Sequence, residues 1–335
     1  MPSVALYLHT PFCKKKCNYC DFVSYAGKEV MSDKYVEALC QEINSPPCYD
    51  EANPPPSLVK RGGKEGGELS TIFFGGGTPT LLEPKHFEKI LKILTPLSHK
   101  HPPLSIEDGE GNEFAAGEER GEVFEISIEA NPGTADLAKL QALRSLGINR
   151  LSIGVQSFND QHLKTLGRIH SASEAIRFYE NARAAGFENI NLDLMFALPG
   201  QTLAEWQNDL KIAIGLSPNH LSIYNLQIEE HTPLWEMTQT PSPDTPKTLT
   251  LSQRERVLPL NQNSLQRSSF SHLSRAKSRD WEKGESSTPA DEGSLILPNE
   301  DTELAMYEYT IEALTAAGYK HYEISNFAKP GYECR

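Results

Sequence analysis

The chain has 335 residues, of which 38% are apolar and 23% charged, and its formal net charge is −13. That length can bury the core of one large or two smaller domains. The acidic balance speaks against a nucleic-acid surface as the main role, and no apolar run approaches bilayer length.

Residues 4–8 alternate apolar with other side chains and read as a strand. With a strand and the cysteine loop beginning almost at Met1, no signal or transit peptide is expected. Directly after it comes Cys13-Lys14-Lys15-Lys16-Cys17-Asn18-Tyr19-Cys20, three thiols at the spacing C-x3-C-x2-C. Sulfurs so close in sequence turn toward one centre only if the chain curls around it. A closed zinc site usually takes four ligands as two separated pairs, and no second C-x2-C or H-x3-H occurs in the chain. Three thiolates on a cubane [4Fe–4S] cluster leave one iron open, and an open coordination position is where a metal site does chemistry. The three lysines are expected to lower the thiol pKa. The other cysteines, Cys40, Cys48 and Cys334, are scattered rather than dense, which suits a reducing compartment. Cytoplasmic placement is the expectation, with an organelle as the alternative if a transit peptide is missing from this chain.

Residues 32–43 carry Tyr35, Val36, Leu39 and Cys40 on one helical face behind a Ser/Asp cap signal. Residues 45–69, with Pro54-Pro55-Pro56 and a Gly/Lys/Glu run, read as a first insertion unable to pack a core. Thr71-Ile72-Phe73-Phe74 is a short strand entering Gly75-Gly76-Gly77-Thr78-Pro79, where glycines let the backbone approach a ligand closely. A helix over 83–97 is followed by a polar, acidic second insertion at 98–122.

Residues 124–132 alternate and place Glu129 near the end of a strand, suited to accept from an amine or from ribose hydroxyls. A helix over 134–146 stops at Gly147. The strand 150–158 ends on Gln156, helical stretches follow around Leu163 and over 172–185, and the strand 189–196 carries Asp193. A helix reaching Ile214 leads to the strand 220–226. Residues 236–300 break the pattern and read as a long, disordered third insertion with a basic half and an acidic end. Helix returns over 301–317, stopped by Gly318, and residues 319–324 form a last strand. Strands alternating with helices indicate βαβ units and a parallel sheet. Six such units, with polar residues at the strand ends, give an open (β/α)6 partial barrel whose site lies on that rim.

Tyr7-Leu8-His9-Thr10-Pro11-Phe12-Cys13 followed by C-x3-C-x2-C resembles the radical S-adenosylmethionine (SAM) superfamily, and within it the oxygen-independent coproporphyrinogen III oxidase family. Oxidases of that family carry a further cysteine two residues after the third; this chain has Asp21-Phe22 there, which matches the HemW-type haem chaperone branch. The resemblance implies a [4Fe–4S] cluster on Cys13, Cys17 and Cys20, SAM on the open iron, and haem as cargo for an acceptor protein. An electron donor such as a flavodoxin or ferredoxin is implied as a second partner. By the same resemblance Tyr7, Tyr19, Gly76, Gly77, Thr78, Glu129, Gln156, Arg168 and Asp193 fall where the family contacts SAM, with Arg168 suited to a carboxylate. His9 is a candidate proton donor or a structural histidine. The alternative function is the oxidase itself, decarboxylating porphyrinogen propionates; a zinc-stabilised or degenerate barrel is the third reading. In domain terms, residues 1–235 form the barrel, 236–300 the insertion, and 301–335 the return of the fold. The family's His-Asn/Tyr-Trp segment and C-terminal domain do not follow, so the chain is expected to be truncated.

Overall fold

The computed structural model describes residues 3–44, 68–94, 124–239 and 295–334. The expected insertions at 45–69 and 98–122, and most of that at 236–300, lie outside the described residues, except that Glu68 and Leu69 already belong to a strand, with Leu69 buried in the core rather than in an insertion. One compact unit comprises residues 1–236 with 296–335; the second, 237–295, is almost wholly outside them.

In chain order the first half runs β1 (Ser3–Thr10), β2 (Phe12–Cys13), β3 (Tyr25–Ala26), α1 (Ser32–Asn44), β4 (Glu68–Gly76), α2 (Pro84–Leu94), β5 (Glu125–Ala130) and α3 (Leu137–Ser145). It continues as β6 (Arg150–Gln156), α4 (Asp160–Thr165), α5 (Ala172–Ala184), β7 (Asn189–Phe196), α6 (Leu203–Leu216), β8 (His220–Asn225) and α7 (Pro233–Gln239). Helix α8 (Glu300–Ala316) and strands β9 (Lys320–Glu323) and β10 (Asn326–Ala328) close the chain. The sheet order is β1-β4-β5-β6-β7-β8-β10-β9. The first six strands are all parallel, as βαβ connections require, and β10 and β9 add antiparallel. The expected open α/β sheet is thus present, extended by an antiparallel hairpin that strand periodicity did not announce.

Alternation along the parallel strands separates two environments. Ile126 and Ile128, Leu151 and Ile153, Ile190 and Leu192, and Leu221 and Ile223 are buried. They share one core with Leu140 and Leu143 of α3, Phe178 of α5 and Trp206 of α6. The intervening residues are polar: Ser152, Asn191 and Ser222 line a cavity, and Ser127 is buried against Glu125. On α2, Phe87, Ile90, Leu91 and Leu94 recur at helical spacing and are buried, and the Phe87 ring meets Phe74 of β4 edge-on at 5.1 Å. Helix α8 is fastened by the buried indole of Trp206, whose Nε1 donates to Met306 O at 3.1 Å and Thr310 Oγ1 at 2.9 Å. Capping boxes, Ser171 with Glu174 and Thr202 with Glu205, start α5 and α6 and satisfy otherwise orphaned N–H groups. Among the described residues no helix is long and apolar enough to cross a membrane.

Candidate functional site

Every parallel strand ends on the same rim, so the residues after them are brought together although they are far apart in sequence. The cysteine loop follows β1, and its ends are pinned where β2 and β3 pair in parallel. Tyr25 N donates to Pro11 O at 2.7 Å. Asn18 holds the middle: its backbone N donates to Leu166 O at 2.9 Å, its Nδ2 to Thr165 O at 2.9 Å, and its carbonyl accepts from Leu234 N at 2.8 Å. Gly167 meets it closely, because a Cβ there would stand 2.7 Å from the Asn18 side chain.

Below the loop lies a cavity of about 500 Å³, within the usual range for small-molecule sites. Cys13, Cys17 and Cys20 all line it, and none is in a disulfide. Among the described residues, no three His, Cys, Asp or Glu side chains close on one ion-sized point. Three thiols gathered on one hollow fit a cluster whose irons each take one thiolate. The lysines do not dominate the electrostatics of Cys20. Burial pushes its thiol up, and Lys16 is only one of the smaller opposing influences. Lys14, Lys15 and Lys16 are themselves exposed to water, which weakens their charge.

Of the residues expected to contact a cofactor, Tyr19, Gly76, Gly77, Thr78, Glu129, Gln156, Arg168 and Asp193 line this cavity. The glycine turn is constrained by protein rather than loosely open: a Cβ on Gly77 would lie 2.5 Å from Phe12 O and 3.0 Å from Cys13 Sγ. Gly76, at φ 111°, donates its N–H to Glu129 Oε2 at 3.0 Å. Burial, then the nearby Asp193, pushes the Glu129 carboxyl up to about 7. Burial raises Asp193 as well, against hydrogen bonds from Asn191 and Ser152. Both carboxylates are shielded from bulk water yet open to the cavity. Arg168 donates to Cys17 Sγ at 3.3 Å, to Gly154 O at 2.6 Å and to Asn131 Oδ1. Burial works against its charge, but Tyr19 and Cys17 outweigh it. Gln156 sits at φ 73° beside a register shift in β6. Left-handed backbone at a non-glycine costs about 1–2 kcal/mol and recurs at functional sites.

Two expected residues stand outside the cavity lining. Tyr7 is 55% exposed and stacks on Phe73 at 5.9 Å. His9 is held between Tyr7 Oη at 3.3 Å and Val23 O at 2.8 Å, tying β1 to the far end of the cysteine loop. Sequence reasoning missed Asn131, which joins Thr78 to Arg168, and a floor built from Arg150, Asn191 and His220. The period-two pattern of β7, Asn189-Ile-Asn191-Leu-Asp193, held a signal for the floor.

A family model, the radical SAM superfamily, matches residues 7–213. The chain is similar to the haem chaperone HemW of Escherichia coli, at 34% identity over 100% of this chain and 65% of that protein. It is similar also to the haem chaperone HemW of Bacillus subtilis, at 31% over 98% and 64%. Coproporphyrinogen III oxidase (HemN) from Escherichia coli, described as a radical SAM enzyme, superposes with a TM-score of 0.63 at 25% identity, covering 99% of this chain and 56% of that one. The chain therefore spans less than two thirds of the length of the curated relatives it matches. With the family model covering well over half of its residues, and three thiols gathered at the rim of an open parallel sheet, the chain belongs to the radical SAM superfamily.

Proposed function

We propose that the chain is the radical SAM portion of a haem chaperone, which takes up haem and passes it to a haem-requiring acceptor protein. The observation that carries this reading is Asp21-Phe22 at the exit of a loop whose three thiols line one cavity; the names of the two HemW relatives support it. Cys13, Cys17 and Cys20 would hold a [4Fe–4S] cluster. Such a cluster, when bound, supplies an open iron for SAM and one electron. Arg168 would take the SAM carboxylate, Gly76, Gly77 and Thr78 its amino end, and Glu129, Gln156 and Asp193 its ribose hydroxyls or charged centre. Tyr19, under Arg168, would fix the guanidinium, and Tyr7 would cover the outer edge. His9 fits a positioning role better than a proton donor, because both ring nitrogens are engaged. A flavodoxin- or ferredoxin-like donor would approach over the exposed lysines, in the cytoplasm or an equivalent reducing compartment.

A second reading, the oxygen-independent coproporphyrinogen III oxidase, is favoured by the structural likeness to HemN. Anaerobic reconstitution with iron and sulfide separates the two. The chaperone reading expects a cluster, stoichiometric haem binding and no coproporphyrinogen turnover; turnover to protoporphyrinogen would establish the oxidase. Cys17→Ser is expected to lose most bound iron and sulfide. Intact cluster content in that variant would overturn the assignment of the thiols.

A further inference from the structure

Below the cofactor wall the cavity continues toward the N-terminal ends of the strands, and its floor departs from the usual pattern. Parallel barrels are ordinarily filled there by layers of branched apolar side chains. Here Arg150 and Ser152 of β6, Asn191 of β7, and His220 and Ser222 of β8 line the cavity instead. Most are fully occupied with one another. Asn191 Nδ2 donates to Ser152 Oγ and to Asp193 Oδ1, each at 2.7 Å, which leaves its Oδ1 as the acceptor for His220 Nδ1 at 2.6 Å. His220 Nε2 then accepts from Tyr322 Oη at 2.7 Å. Burial, then the Arg150 charge, holds this imidazole down at about 3, so it is neutral.

Arg150 is the exception. It is 3% exposed, no carboxylate among the described residues lies within ion-pair distance, and its buried Nε has no partner. Asp193 feels its charge, but the Asp193 oxygens are bonded to Ser152 and Asn191. A buried guanidinium left so incompletely partnered is costly, because the water it gave up is not replaced by a bond.

We propose that the floor of the cavity is a carboxylate subsite, in which the Arg150 guanidinium receives the carboxylate arm of a small-molecule ligand whose remainder extends toward the rim. The planar fork of five donors matches a carboxylate in bidentate fashion. A phosphate dianion fits less well: one cation would face it, with Asp193 and Glu129 on the same cavity wall. The subsite is separate from Arg168, which is already bonded to Cys17, Gly154 and Asn131 near the rim. Arg150 starts β6 and Gln156 ends it, about 20 Å apart at 3.3 Å per residue.

Propionate, with propionamide as its uncharged counterpart and inorganic phosphate as the tetrahedral control, tests this on the full chain by ligand-observed NMR titration. Because no iron, SAM or haem is needed, failure here and failure of the chaperone reading are distinguishable. The expected result is that propionate binds and propionamide does not, that binding persists in Arg168→Met, and that Arg150→Met in that background weakens it at least tenfold. Arg150→Lys, which keeps the charge without the fork, is expected to fall between. Equal binding of acid and amide, tighter binding of phosphate, or unchanged affinity in Arg150→Met would overturn the subsite. So would a wild type that ignores propionate while Asp193→Asn restores the stability lost in Arg150→Met, for Arg150 would then be a counter-ion only. The acid–amide comparison needs no variant, so it decides the matter even if the Arg150 replacements fail to fold.

Discussion

Replacing Glu129 by glutamine is expected to stabilise the protein in a pH-dependent way. The carboxyl is pushed from an ordinary 4.5 up to about 7 by burial and by Asp193. A raised folded-state value means that the protonated form is the one the fold accepts. The contribution is therefore fully present below about pH 4.5 and is lost as pH rises through 7. At 1.36 kcal/mol per pKa unit the wild type gives up about 3 kcal/mol at pH 8 relative to pH 4.5. Glutamine stays neutral throughout and still offers an oxygen to the Gly76 N–H, so Glu129→Gln should avoid that loss. Urea denaturation of both proteins at pH 5, 6.5 and 8 gives the comparison directly. The two curves should lie close together at pH 5 and diverge by up to about 3 kcal/mol at pH 8. The divergence should shrink in an Asp193→Asn background, because Asp193 supplies the second-largest part of the shift. Parallel stability profiles across the range would show that water in the cavity solvates the carboxylate well enough to keep it ionised.

Two further substitutions probe the scaffold. Gly77→Ala puts a methyl group 2.5 Å from Phe12 O and 3.0 Å from Cys13 Sγ; since backbone must move, a loss of about 1–3 kcal/mol is expected, together with reduced iron uptake after reconstitution. Normal stability and normal uptake would show that the turn has slack. Trp206→Phe keeps a buried aromatic but leaves Met306 O and Thr310 Oγ1 without the indole donor. About 1–3 kcal/mol should be lost in denaturant melts, and Thr310→Val in the same background should recover part of it.

Much of the scaffold was legible because each signal was local. Gly147, Gly186 and Gly318 mark helix stops and all adopt positive φ, while the apolar half of each strand pattern lies under a helix. The thiols and the glycine turn were legible for the same reason. What stayed hidden depended on partners distant in the chain. Asn131 reads as an ordinary turn residue until Thr78 and Arg168 close on it. His220 meets Tyr322 across 102 residues, on a hairpin whose antiparallel return to β8 no period reveals. The lysines misled in a different way, since charge beside a thiol in sequence says nothing of how far water screens it.

The three hydrogen bonds of Asn18 carry a consequence for transplantation. A peptide spanning only the cysteine loop would contain every thiol and none of the groups that hold Asn18, which come from Thr165, Leu166 and Leu234. Grafting such a loop onto another scaffold would therefore require copying the end of α4, with Gly167 behind it, and the start of α7 as well. The shape that presents the sulfurs belongs to the whole rim, and a miniature of this site must be a miniature of the barrel.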